Sequence, residues 1–287
     1  MTYFRALGLI LTALFLSSCA SLASDRMAGQ LRTVMLAQDD PETVKAAAPA
    51  FLLLVESMIA DSPEDPRLLV TGAELAASYG ALLEDPDRRA RLADRAYDYS
   101  RRALCAEQKS VCIALDGSFE DFSVSVAKVG PTDLENLYVF ATTWATWLEF
   151  HSGDMDAIAN LPKLELIFDQ IISLDPNFHG GRAHLYAGAL AILRPPALGG
   201  KPDKARGHFE EALRLSNGKD LMVQVEYARR YARQVLDQPL HDRLLNQVLT
   251  TDPVAPGLTL SNLIAQEEAK RLLSEDWFAM FSDLEAP

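Results

Sequence analysis

Apolar residues recur at three- and four-residue intervals along nearly the whole chain, while strand-like alternation is almost absent, so the sequence reads as a succession of amphipathic helices. Four of these helices end alike. Val55, Met58, Asp61 and Pro63 share their spacing with Phe168, Ile171, Leu174 and Pro176, with Phe209, Ala212, Leu215 and Asn217, and with Leu245, Val248, Thr251 and Pro253. Between these endings the pattern predicts partner helices at about 66–80, 87–105, 118–129, 132–151, 179–193, 220–236 and 258–274. Ser152-Gly153 and Asn217-Gly218 mark stops, Asp220 marks a start, and Thr132-Asp133-Leu134-Glu135 has the spacing of a capping box.

A long insert divides one helix pair. Its first arm sets Leu185, Tyr186, Ala189 and Ile192 on one face, and the second repeats Ala205, Phe209, Ala212 and Leu215. The ten residues Leu193-Arg194-Pro195-Pro196-Ala197-Leu198-Gly199-Gly200-Lys201-Pro202 hold three prolines and two glycines. Proline lacks a backbone donor and glycine gives up too much backbone entropy, so the insert is an exposed loop. Stretches 106–117 and 194–202 are the main irregular segments. The recurrent ending is similar to the second helix of a tetratricopeptide (TPR) repeat, whose period is about 34 residues. Starts at 168, 209 and 245 lie 41 and 36 residues apart, so the repeats are degenerate. The implied fold is all-α, with TPR-like antiparallel helical hairpins packed into an irregular solenoid.

Two helices carry more than one apolar face. On 132–151 one stripe is Leu134, Leu137, Tyr138, Ala141, Trp144, Ala145 and Leu148, and a second runs through Phe140, Thr143, Trp147 and Phe150. On 220–236 the core stripe Leu221, Val225, Ala228, Ala232 and Val235 adjoins a mixed face of Gln224, Tyr227, Tyr231 and Gln234. A solenoid buries helices from two sides, which accounts for both. Aromatic groups with polar tips equally suit a partly wet ligand surface. On that reading the helices enclose an apolar channel, with Phe140, Trp147, Tyr227 and Tyr231 as ligand contacts.

The N-terminus places the chain. Met1–Phe4 with Arg5 form a positive head, Ala6–Leu16 an apolar run of eleven, and Leu16-Ser17-Ser18-Cys19 resembles the bacterial lipobox. A bilayer span needs about twenty residues, so residues 1–18 read as a cleaved lipoprotein signal peptide. Residues 19–30 are then the lipidated Cys19 with its tether, and 31–287 a TPR-like helical domain. An ordinary secretory signal with an incidental cysteine is the alternative. Ala20 rather than aspartate after Cys19 resembles an outer-membrane sorting signal, giving an anchor on the periplasmic face of that membrane in preference to the inner one.

Cleavage leaves 26 basic against 40 acidic residues, a net charge of −14. Such a surface repels nucleic acid and anionic lipid headgroups, so contact with the membrane is expected through the lipid anchor only. The arginine-rich stretch from Arg88 to Arg102 is preceded by Glu84 and Asp87 and interleaved with Asp94 and Asp98, so it reads as a solvated helix face. Cys105 and Cys112 face an oxidising compartment and either form a disulfide or stay as two buried thiols. No H-E-x-x-H, G-x-S-x-G, P-loop or G-x-G-x-x-G occurs, His179 and His184 are five apart, and no metal, cofactor or catalytic residue is assigned. The chain is read as a non-enzyme.

Asp175-Pro176, Gly180-Gly181-Arg182-Ala183-His184-Leu185, Arg194-Pro195-Pro196-Ala197-Leu198-Gly199-Gly200, Tyr227-Ala228-Arg229-Arg230-Tyr231-Ala232 and Leu260-Ser261-Asn262 follow one another in order. Over roughly residues 130–275 this series resembles the T component of TRAP (tripartite ATP-independent) transporters, the TatT family. Arg194, Pro195, Pro196, Gly199 and Gly200 are the loop that carries most of the likeness. The resemblance implies a TPR-like periplasmic lipoprotein with an internal hydrophobic passage that docks the substrate-binding P component and holds a hydrophobic organic acid. A general TPR adaptor in envelope assembly is the competing expectation. The oligomeric state is open, a homo-oligomer included.

Overall fold

In a computed structural model, residues 33–279 are described, and they are helical with no strand among them. Three helices begin with the same pair of residues. Asp40, Asp65 and Asp85 each accept backbone N–H bonds at the N-cap of α1 (Pro41–Asp61), α2 (Pro66–Ala81) and α3 (Pro86–Glu107), with proline next in the first turn. The aspartate satisfies orphan donors, and proline's missing N–H costs nothing at that position. α4 (Lys109–Leu115), α5 (Phe119–Val126), α6 (Leu134–Phe150), α7 (Met155–Ala159) and α8 (Leu161–Leu174) complete the first part. The chain continues through α9 (Arg182–Ile192), α10 (Pro202–Leu215), α11 (Leu221–Glu226), α12 (Gln238–Thr250) and α13 (Thr259–Ser274).

One core joins α3 to α6 and α8 through Leu104, Phe122, Leu137, Phe140, Ile167 and Phe168. A second joins α9 to α13 through Phe209, Leu221, Ala228, Leu245 and Ala265. Smaller clusters seat α1 on α2 and α3. The last helix, α13, also touches α1, so the array of helices closes on itself. Across that closure Glu268 of α13 lies within electrostatic range of Arg89 of α3.

Several boundaries differ from the expected ones. Stretch 106–117 contains α4, because Lys109–Leu115 holds no breaker and buries Val111, Ala114 and Leu115. Cys105 and Cys112 are bridged, with Cα atoms 4.9 Å apart, which fastens α4 to the end of α3. The helix expected from 179 begins at Arg182, since His179 (φ 48°), Gly180 and Gly181 are left-handed. Gly181 has a second constraint: a Cβ there would lie 2.7 Å from Leu215. The Thr132–Glu135 capping box is not the device that starts α6, whose Asp133 cap makes no side-chain bond; a 3-10 turn at Pro131–Asp133 leads into the helix instead.

The insert is an ordered knot of short bonds. Leu198 and Gly200 donate to Pro195 O, Lys201 donates to Ala191 O, and Pro196–Leu198 forms a 3-10 turn. Gly199 supplies a left-handed φ of 91°, and a Cβ on Gly200 would fall 1.8 Å from Arg194 O. Arg194 reaches Glu165 at 3.5 Å, tying the loop to α8. These contacts join the insert to the end of α9 and to α8.

Candidate functional site

Four helices each carry a stripe of half-buried residues, with Glu149 exposed at the end of one. On α6 it is Tyr138, Thr142, Ala145 and Glu149, and on α9 it is Arg182, Tyr186, Ala189 and Leu193, both at helical spacing of four, three and four. α11 and the turn that follows it contribute Met222, Glu226, Arg229 and Arg230, and α13 adds Ser261, Ile264 and Glu268. The stripes are linked to one another. Tyr138 and Tyr186 have ring centroids 6.4 Å apart, and both lie within electrostatic range of Arg182 and Asp220.

Arg182 is the fixed cation of this recess. Its Nε donates to Asp220 Oδ2 at 2.5 Å and its Nη2 to Asp220 Oδ1 at 3.1 Å and to Ser261 Oγ at 3.2 Å. The Asp220 side chain is 4% exposed and that of Arg182 30%, so the carboxylate is enclosed and the guanidinium still meets water. Buried Asn262 holds the Asp220 segment in place: its side chain accepts from Leu221 N and donates to Lys219 O and Pro253 O. Burial works against the Arg182 charge, but the Asp220 carboxylate outweighs it and raises the guanidinium pKa above its ordinary value.

Tyr138 and Tyr186 retain part of their water contact, yet burial pushes both phenols well above the ordinary range. Both rings are half-buried where α6 and α9 meet beside Arg182. Phe168 stacks on Tyr186 with centroids 5.2 Å apart, and His179 stacks on Tyr138 at 4.7 Å while bonding Glu135 at 3.0 Å. Among the described residues neither phenol hydroxyl hydrogen-bonds to protein.

The α11 end is a charge network. Arg230 bonds Glu226 at 2.6 Å and also Glu149 of α6, while Arg229 bonds Glu226 at 2.6 Å. Burial lowers the Arg230 pKa to about 10, which still leaves the group charged at neutral pH. Both arginines sit in a π-turn, Tyr227–Ala232, where Arg233 N bonds back to Ala228 O. Arg229 and Arg230 lie three and four residues after Glu226, so both meet it from one side of the helix.

A family model for the TRAP transporter T component matches residues 37–278. The chain belongs to the TRAP transporter T-component family. No curated protein matches it. Membership gives this T component an accessory, non-enzymatic place in a TRAP transport system and an envelope-associated setting.

The residues singled out from sequence as ligand contacts lie elsewhere in this T component. Phe140 has 0% exposure and stacks 5.9 Å from Tyr97, so it borders no water-sized space. Trp147 is sandwiched between Tyr97 at 5.1 Å and His151 at 4.1 Å. Tyr227 is buried against Phe209 at 5.0 Å, and Tyr231 sits 5.3 Å from Tyr227. On α6 the assignment of faces is corrected: Phe140 and Thr143 pack toward α3, where Ser100 and Thr143 share a 2.7 Å hydrogen bond, and Tyr138 and Ala145 turn to the recess. The physical reason is that α3 already covers the second stripe, so the nominal core stripe is split between core and recess. Thr142 and Glu149, polar on a helix otherwise rich in apolar residues, were the signal for the wet side. Arg194, Pro195, Pro196, Gly199 and Gly200 remain together in the insert, and Cys19 lies outside the described residues.

Proposed function

We propose that this T component is a lipoprotein, anchored through Cys19 on the periplasmic face of the outer membrane, that docks a P-component solute-binding protein and holds a hydrophobic organic acid in its recess. The observation that carries the ligand reading is the pair of phenol hydroxyls on Tyr138 and Tyr186, which lack protein partners beside Arg182. A ligand carboxylate would accept from both phenols and meet the water-facing side of Arg182. Its apolar body would lie along Ala145, Ala189, Leu193 and Met222. This division suits binding by apolar burial with a few polar groups fixing orientation. The net charge of −14 expected after cleavage disfavours long-range capture of small, highly charged acids, so the apolar body matters.

Calorimetric titration with a long-chain monocarboxylate, alone and loaded on the P component, tests the proposal. Tyr138→Phe with Tyr186→Phe is expected to weaken ligand binding about tenfold or more while leaving the P-component interaction intact, since one lost hydrogen bond to a charged group costs about 1.5–3 kcal/mol. No binding of carboxylates by the parent protein, or unchanged binding by the double variant, would refute the ligand reading. Failure to bind the P component would refute the docking reading separately.

A further inference from the structure

The outward side of α1 carries no charged residue between Lys45 and Glu56. Val44, Ala48, Leu52 and Ile59 face the core, leaving Ala46, Ala50, Leu53, Leu54 and Met58 outside, with Leu53 66% and Leu54 50% exposed. By length and composition this 21-residue helix is apolar enough to cross a bilayer. It lies packed on α2, however, and presents that apolarity sideways.

Beside it runs a groove of about 260 Å³ between α1 and α3, lined by Pro49, Leu52 and Leu53 on one side and Arg88, Arg91 and Arg95 on the other. Arg95 is paired with Glu56 at 2.7 Å. Arg88 donates instead to the Tyr79 hydroxyl at 2.7 Å, and among the described residues neither Arg88 nor Arg91 pairs with a carboxylate. A chain of net charge −13 thus sets two uncompensated cations at the edge of an exposed apolar helix.

We propose that α1 and this arginine groove form a membrane-docking surface that seats on an anionic phospholipid bilayer. Leu53, Leu54 and Met58 enter the headgroup–acyl boundary, and Arg88 and Arg91 take the lipid phosphates. The choice of occupant rests on charge complementarity and on the reading of Cys19 as the lipid-bearing residue. From Cys19 to Pro41 is 22 positions, so a protein anchored at Cys19 keeps α1 near the bilayer. Lipid chain and surface patch together give the two signals that stable membrane attachment requires.

The test uses the mature chain with Cys19→Ser, which removes any acyl group and isolates the surface, sedimented with vesicles of phosphatidylethanolamine and phosphatidylglycerol or of phosphatidylcholine alone. Bound protein is expected to be at least about tenfold greater on the phosphatidylglycerol vesicles and to fall as salt rises. Arg88→Ser with Arg91→Ser should return binding to the phosphatidylcholine level, and Leu53→Asn with Leu54→Asn should lower it comparably, each with a thermal melt matching the parent. Equal binding to both vesicles, or parent-level binding by the arginine variant, overturns the proposal. So does a face whose variants abolish self-association or P-component binding but leave vesicle binding untouched, because it then belongs to a protein partner. Intact mass of the exported wild-type chain reports acylation independently, so failure of the Cys19 reading is distinguishable from failure of the surface.

Discussion

Removing either partner of the Arg182–Asp220 pair should give unequal losses of stability, and the inequality follows from their burial. The Asp220 side chain is 4% exposed and that of Arg182 30%. Arg182→Met leaves an enclosed carboxylate without its cation. Breaking a buried pair in this way costs about 3–5 kcal/mol, and the wet side of the guanidinium places this case near about 3. Asp220→Asn leaves Arg182 with a neutral acceptor, Ser261 and water, so about 1–1.5 kcal/mol is expected, the scale of one weakened hydrogen bond. Melting temperature for a chain of this size moves by about 2–4 °C per kcal/mol, giving a fall of about 6–12 °C for Arg182→Met and about 2–6 °C for Asp220→Asn. Urea unfolding followed by circular dichroism measures both. The double variant should lie closer to Asp220→Asn than to the sum, because no lone charge remains. Equal small losses, or a larger loss for Asp220→Asn, would refute the burial argument.

Gly181→Ala should destabilise by about 1–3 kcal/mol in the same urea titration, because the φ of 83° strains an L residue and the added Cβ would sit 2.7 Å from Leu215. The facing Nδ1 atoms of His184 and His208, 3.0 Å apart, are held below their usual pKa by burial, His208 at about 4. The unfolded chain therefore takes up protons first as pH falls, so stability is full above about pH 6.5 and is lost progressively toward pH 4. His208→Gln should flatten that pH dependence in thermal melts between pH 7 and pH 4. Reducing the Cys105–Cys112 bridge, which closes a separation of seven residues, should cost about 2 kcal/mol, read as a lower urea midpoint with dithiothreitol present.

Local chemistry made the helices legible. Asp-Pro starts at Asp40, Asp65 and Asp85 are self-contained signals, as are the stops at Ser152-Gly153 and Asn217-Gly218, where Asn217 and Gly218 both take positive φ. The proline-glycine insert also declared itself. Periodicity alone could not say which stripe of α6 meets another helix and which meets the recess, because both are apolar at the right spacing. That choice depends on α3 arriving over Phe140 and Thr143. Asp220 reads locally as an N-cap, yet it makes no side-chain cap bond and serves Arg182, 38 residues away in sequence. The π-turn at Tyr227–Ala232 has no glycine or proline to announce it. Glu226, Glu149 and Glu268 gather around its Arg229 and Arg230.

Native mass spectrometry of the mature protein isolated from its own cells tests the central claim most directly. The account predicts a copurifying hydrophobic monocarboxylate, released by organic extraction and lost from the Tyr138→Phe, Tyr186→Phe variant while the fold persists. A protein that is empty in every preparation, or one whose ligand is retained unchanged by that variant, would contradict it.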